Sequence, residues 1–138
     1  MWRFGLLLLT LLGSAGCSDR EVVQSDWWLA SAPTDATLEI VTYLGSSSCT
    51  SFDRVDVQEK DDEVVIRAFV SLQTTGDCTA DDTFQPSPVT LSAPLGRGLL
   101  TGCVAPGSGN RAHDLTHDAS VDCRTRVRPD DAGEEFSG

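Results

Sequence analysis

From residue 37 onward apolar and polar side chains alternate with a period of two, the spacing of strands rather than helices. Residues 37–44 set Leu38, Ile40 and Leu44 on one face against Glu39, Val41 and Tyr43 on the other. Residues 54–59 alternate Val55 and Val57 with Arg54, Asp56 and Gln58. In residues 63–72, Val64, Ile66, Ala68, Val70 and Leu72 share one face, while Val65 and Phe69 make the second face half apolar. That pattern predicts a central strand covered on both sides. Val89, Leu91 and Ala93 alternate between Pro88 and Pro94, residues 99–104 form a short apolar run, and residues 119–127 set Ala119, Val121, Cys123, Thr125 and Val127 against Ser120, Asp122, Arg124 and Arg126. Turn signals rich in Gly, Pro, Ser and Asp separate these runs at residues 45–48, 60–62, 74–77, 85–88, 96–98 and 106–109. Short strands at this spacing predict an all-β fold, a small antiparallel β-sandwich or partly open barrel. A helical turn or two fits only residues 111–119, with Gly109 and Asn110 just ahead.

The N-terminal pattern is different in kind. Arg3 precedes an apolar run from Phe4 to Leu12, and Ser14, Ala15 and Gly16 lead to Cys17. This is the layout of a signal peptide over residues 1–16, since the apolar run falls far short of the ~20 residues that span a bilayer. Ser14-Ala15-Gly16-Cys17 resembles the lipobox of bacterial lipoproteins, with serine where leucine is usual. The resemblance implies cleavage before Cys17, a lipid such as palmitate on its thiol, and display on the outer face of the cell membrane; plain secretion is the alternative. Residues 17–26 then read as a tether and residues 27–128 as the β domain. Trp27 and Trp28 are too apolar for a free linker and are expected to cover an edge of the core, the alternative being a stacking platform for carbohydrate or peptide. The acidic segment 129–138 lacks apolar periodicity and is expected to be mobile.

Charge narrows the partners. The chain of 138 residues carries a formal charge of −11, one unit more negative once Arg3 is removed with a signal peptide. A nucleic-acid backbone would be repelled, whereas cations and basic envelope proteins are electrostatically favoured. Five cysteines are an odd number for an exported protein, and lipidation of Cys17 leaves an even four: Cys49, Cys78, Cys103 and Cys123. None stands in a Cys-x-x-Cys spacing, so neither thioredoxin-like redox chemistry nor a zinc ribbon has its signature. Of three possible pairings, Cys49 with Cys78 and Cys103 with Cys123 is favoured: the first two each follow a strand, while Cys123 lies on an apolar face and Cys103 in an apolar run.

Candidate chemistry is sparse. His113 and His117 would stand one turn apart on a helix and could share a metal, with Asp118 or Asp122 as further ligands, but no glutamate follows His113 as a zinc-protease motif requires. A solvated polar loop is the plainer reading. Asp77, Asp81 and Asp82, and the knot of Asp61, Asp62 and Glu63, lack the alternating ligand spacing of a calcium loop. No Gly-x-Ser-x-Gly elbow and no phosphate-cradling glycine loop occurs, and no cofactor is implied.

Three segments, Leu44-Gly45-Ser46-Ser47-Ser48-Cys49, Cys78-Thr79-Ala80-Asp81 and the run from Val89 through Leu91 to Pro94-Leu95-Gly96, resemble a pattern in small lipoproteins and secreted proteins of high-GC Gram-positive bacteria. The resemblance covers residues 27–100 and implies a compact β domain with Cys49 joined to Cys78; it implies no activity. The expectation is therefore a lipid-tethered binding or structural module of the cell envelope, not an enzyme. A metal-dependent enzyme or metal-binding protein using His113 and His117 is the alternative. A protease inhibitor presenting residues 96–98 or 106–109 is a third possibility.

Overall fold

The strongest alternating run becomes the strand around which one sheet is built. In the computed structural model, which describes residues 19–33, 36–106 and 121–128, that strand is β5, Glu63–Gln73. The others are β1 (Arg20–Ser25), β2 (Trp27–Leu29), β3 (Thr37–Gly45), β4 (Thr50–Glu59), β6 (Thr83–Thr90) and β7 (Leu99–Thr101). A 3-10 turn at Cys123–Thr125 follows.

β4 runs antiparallel along one edge of β5, from Glu59 opposite Val64 to Thr50 opposite Leu72. The other edge is shared. β1 pairs antiparallel with its C-terminal half, Ser25 opposite Ala68 through Arg20 opposite Gln73. β7 pairs parallel with its start, Glu63 opposite Leu99 through Val65 opposite Thr101. The second sheet has the order β2-β3-β6, all antiparallel. Neither sheet closes into a barrel, and the two pack face to face.

The chain passes from one sheet to the other at Asp26, between β1 and β2. Its carbonyl accepts from the Tyr43 N–H at 2.9 Å and its carboxylate from the Ala105 N–H at 2.7 Å. The inward faces supply the core: Trp27, Leu29, Leu38 and Ile40 from the β2-β3 side meet Val64, Ile66, Ala68 and Leu100 from the β5-β7 side. Thr42, fully buried opposite Trp27, leaves its hydroxyl without a hydrogen bond.

Where β1 and β7 meet on the edge of β5, neither strand covers Ile66. The Trp27 indole does so instead, its N–H donating to the Ile66 carbonyl at 2.9 Å and the Gly102 carbonyl at 3.1 Å. A buried carbonyl without a donor costs about 1–3 kcal/mol, so this seam depends on tryptophan rather than on any apolar ring. Gly102 is required beside it. Its φ is +96°, and a Cβ there would lie 2.2 Å from the Ile66 oxygen.

Both disulfides follow the favoured pairing, Cys49–Cys78 and Cys103–Cys123. Three expectations are corrected. The tether over residues 17–26 does not hold for Arg20–Ser25, which forms β1, because Val23 and Ser25 turn inward and the unpaired edge of β5 supplies hydrogen-bond partners. The turn signal at residues 85–88 lies inside β6: Pro86 and Pro88 are tolerated because β6 is an edge strand, whose outer N–H groups need no partner. Residues 121–127 do not form the expected strand. The Asp122 carboxylate accepts from the Arg124 N–H at 3.1 Å and starts the 3-10 turn, a local bond that competes with sheet pairing. Only Val127 adds to a sheet, as a parallel bridge to Leu29.

Candidate functional site

The inward face of β2 and β3 is core, and period two therefore puts the residues between on the opposite face. Trp28 lies beside Val41, which pairs with Pro86, and Tyr43 pairs with Phe84. These outward side chains are half-buried in one another. The rings of Trp28 and Phe84 are 6.2 Å apart and those of Tyr43 and Phe84 5.4 Å apart, both edge to face at 70° and 68°.

The bridge between Leu29 and Val127 brings two arginines onto this face. The Leu29 N–H donates to the Arg126 carbonyl, and the Arg128 N–H to the Leu29 carbonyl, each at 2.8 Å. Arg126 and Arg128 thereby flank the bridge, and their guanidiniums lie over the rings, Arg126 at 4.8 Å from the centre of Trp28 and Arg128 at 3.6 Å from that of Phe84. Such stacking is attractive through the ring quadrupole and leaves the N–H edge clear of the ring, and Arg126 also donates to the Cys103 carbonyl at 3.5 Å.

The opposite side of the sandwich has a stacked arginine too, with a different outcome. Arg54 sits 4.2 Å over Phe69 but is claimed by Asp53 at 2.5 Å and Asp56 at 3.3 Å. The Asp53 hydrogen bond, followed by the two negative charges, raises its pKa above the ordinary value. Among the described residues no carboxylate lies within ion-pair distance of Arg128.

Other places with chemical potential offer less. A cleft of about 310 Å³ on the outer side of β5 is lined by Gln24, Lys60, Glu63, Arg67 and Thr101 over Val65, with Pro106 and Val121 at its margin. Glu63 is already satisfied there by the Thr101 hydroxyl at 2.8 Å and Lys60 at 3.6 Å, and the Thr101 bond foremost holds its pKa below the usual carboxylate range. At one end of the molecule the serine turn meets the Cys78 turn. The Ser46 and Thr79 hydroxyls are 2.8 Å apart, the Thr79 N–H donates to the Ser48 hydroxyl at 2.9 Å, and Ser47 N–H donates to Asp81 at 3.1 Å. Hydrogen bonds from Ser47 and then Thr79 hold Asp81 down at about 2. Asp82 is taken by the Tyr43 hydroxyl at 2.5 Å.

The acidic clusters are thus joined to hydroxyls and turns, and among the described residues no group of three or more His, Cys, Asp or Glu could hold a metal ion. His113, His117 and Asp118 lie outside the described residues, as do Cys17 and residues 1–16. The paired tryptophans separate: Trp27 is core, Trp28 belongs to the outward face. What sequence reading missed was the arginine pair. The signal was present in Arg124, Arg126 and Arg128 at alternate positions, but it was read as the polar face of a strand. In fact Arg124 turns away to the Leu95 and Gly98 carbonyls.

No family model, curated protein or solved structure matches this chain at a significant level.

Proposed function

We propose that the protein is a binding or structural module of the bacterial cell envelope, tethered through lipid on Cys17 and working through the arginine–aromatic face of the β2-β3-β6 sheet. The observation that carries this reading is that face: Trp28, Tyr43 and Phe84 gathered half-buried on the outward side of the sheet under Arg126 and Arg128. Tryptophan, tyrosine and arginine are the residue types that dominate binding energy at interfaces, and here they are collected on an outward sheet surface. Two disulfides mark an oxidising compartment, and no helix among the described residues is long and apolar enough to cross a membrane. An attachment other than a spanning helix agrees with the lipobox-like stretch ending at Cys17. The reading assigns the protein no catalytic step.

Two measurements test it. Mass spectrometry of the membrane fraction should find an acylated Cys17 at the new N-terminus, and Cys17→Ala should release the protein to the medium. A photo-crosslinking amino acid at position 84 should give discrete adducts in intact cells, whereas one at position 57, on exposed Val57 of β4, should not. Equal labelling at both positions would sink the assignment of the face.

A further inference from the structure

We infer that the arginine–aromatic face takes an acidic peptide segment of a protein partner; this rests on the binding role proposed above. Three features of the face select that chemistry. First, guanidiniums already lie over Trp28 and Phe84, and neighbouring rings meet edge to face at 70° and 68°. A sugar polymer stacking ring on ring needs open, similarly oriented aromatic faces, which this surface lacks. Secondly, a guanidinium laid flat on a ring presents its N–H fork sideways, and that fork matches a carboxylate with two parallel hydrogen bonds. Arg54 shows the pairing satisfied within the molecule, by Asp53 and Asp56. Arg128, stacked in the same way, has no such partner among the described residues.

Thirdly, the molecule limits the ligand's size. Its formal charge is −11, and Glu39 and Asp82 border the face itself. A long polyanion following the surface would be repelled beyond the arginine pair, at distances within the ~8 Å screening length of physiological salt. A short segment with one or two carboxylates gains Arg128 without that cost. Pro86 and Pro88 on β6 lack N–H groups, so a partner strand cannot find regular donors along that edge and recognition falls to the side chains.

The test uses the full-length protein in mild detergent with both disulfides oxidised. The probe is a fluorescein-labelled peptide of alternating glutamate and tyrosine, compared with its glutamine–tyrosine analogue, inorganic polyphosphate and polygalacturonate. The glutamate peptide should bind in a saturable, salt-sensitive way and change Trp28 emission, and the glutamine analogue should bind about tenfold more weakly. Arg128→Glu should weaken binding by about tenfold or more, while Arg54→Glu should leave it within about twofold. Should Arg128→Glu fold poorly, Arg128→Lys keeps the charge, loses the fork and should still weaken binding.

Equal affinity for the glutamine peptide, or an unchanged affinity in both Arg128 variants, overturns the inference. Tighter binding of polyphosphate or polygalacturonate overturns the choice of a peptide. Binding seen only after removal of residues 129–138 assigns the face to this chain's own acidic segment and overturns an outside partner. Adducts at position 84 without acidic-peptide binding leave the proposed function standing and this inference refuted; loss of both refutes the two together.

Discussion

The two disulfides close loops of similar size in different surroundings: Cys49 is buried outside the core cluster and its partner Cys78 is exposed, whereas Cys103 and Cys123 are both core residues. Cys49–Cys78 spans 29 positions and ties two polar turns, with Cys78 exposed among serines, Thr79 and Asp81. Cys103–Cys123 spans 20 positions, and both its cysteines belong to the core beside Trp27, Ile66 and Leu100. In the chain-entropy account only loop length counts, so both contribute about 3–4 kcal/mol and the longer loop leads by about 0.3 kcal/mol. Burial reverses the order. A core disulfide also fills volume, and this one holds residues 121–128 against β2, where Arg126 and Arg128 reach the outward face. Reducing it should therefore cost binding as well as stability.

The largest expected effect decides between these accounts. Cys103→Ala with Cys123→Ala should destabilise by about 4–6 kcal/mol in chemical denaturation, the lost cross-link adding to a cavity. Cys49→Ala with Cys78→Ala should cost about 2–4 kcal/mol. Equal losses, or the reverse order, would break the comparison and return the weight to loop length.

Next comes the seam at the buried end. Gly102→Ala drives a Cβ toward the Ile66 oxygen at a φ of +96° and should lower stability by about 2–4 kcal/mol, read as a fall in melting temperature. Trp27→Phe keeps most of the apolar volume but removes the indole N–H, and should cost about 1–3 kcal/mol. If that variant melts with the wild type, the carbonyls of Ile66 and Gly102 have found other donors, and the seam is less exacting than its geometry implies.

The smallest effect belongs to the polar end. Asp81 is held at about 2 against an ordinary 3.8, so its charged form is favoured in the folded state. Its contribution is full above the unfolded value of 3.8 and is lost as the pH falls toward about 2. Asp81→Asn should flatten the stability profile in that window, its loss of stability being fully developed near neutrality and vanishing as the pH falls toward about 2. Because Asp81 is exposed, the change should be small beside any at the Cys103–Cys123 end. A profile unaltered by the substitution would show that the hydrogen bonds from Ser47 and Thr79 do not persist in solution.

Legibility in the sequence followed the range of the interactions. The core faces of β3 and β5 were readable because period-two burial of Leu38, Ile40, Val64, Ile66 and Ala68 is a local property. The pairing of cysteines was readable because flanking strands limit what can meet. The role of Arg20–Ser25 was not, since six polar and apolar residues in an unremarkable order become a strand only when a distant edge of β5 is open. The two prolines of β6 misled in the same way: they mark a turn locally and an edge strand once the partner is known. The outward face was hidden most thoroughly. Trp28, Tyr43, Phe84 and Arg128 are far apart in sequence, and only the cross-strand register and the Leu29–Val127 bridge bring them together.

The replacement of a tether by β1 changes how the domain could move. Thr74 donates to the Asp19 carbonyl through both its N–H, at 2.8 Å, and its hydroxyl, at 3.1 Å. Ordered pairing therefore starts two residues after Cys17, a span of no more than about 7 Å of extended chain. An acyl chain on Cys17 would be a very short leash. It would moor the Cys49–Cys78 end against the lipid headgroups, with Asp77 and Asp81 in the boundary layer, and would permit tilting but little sweep. A partner would then have to come down to the bilayer to reach this protein.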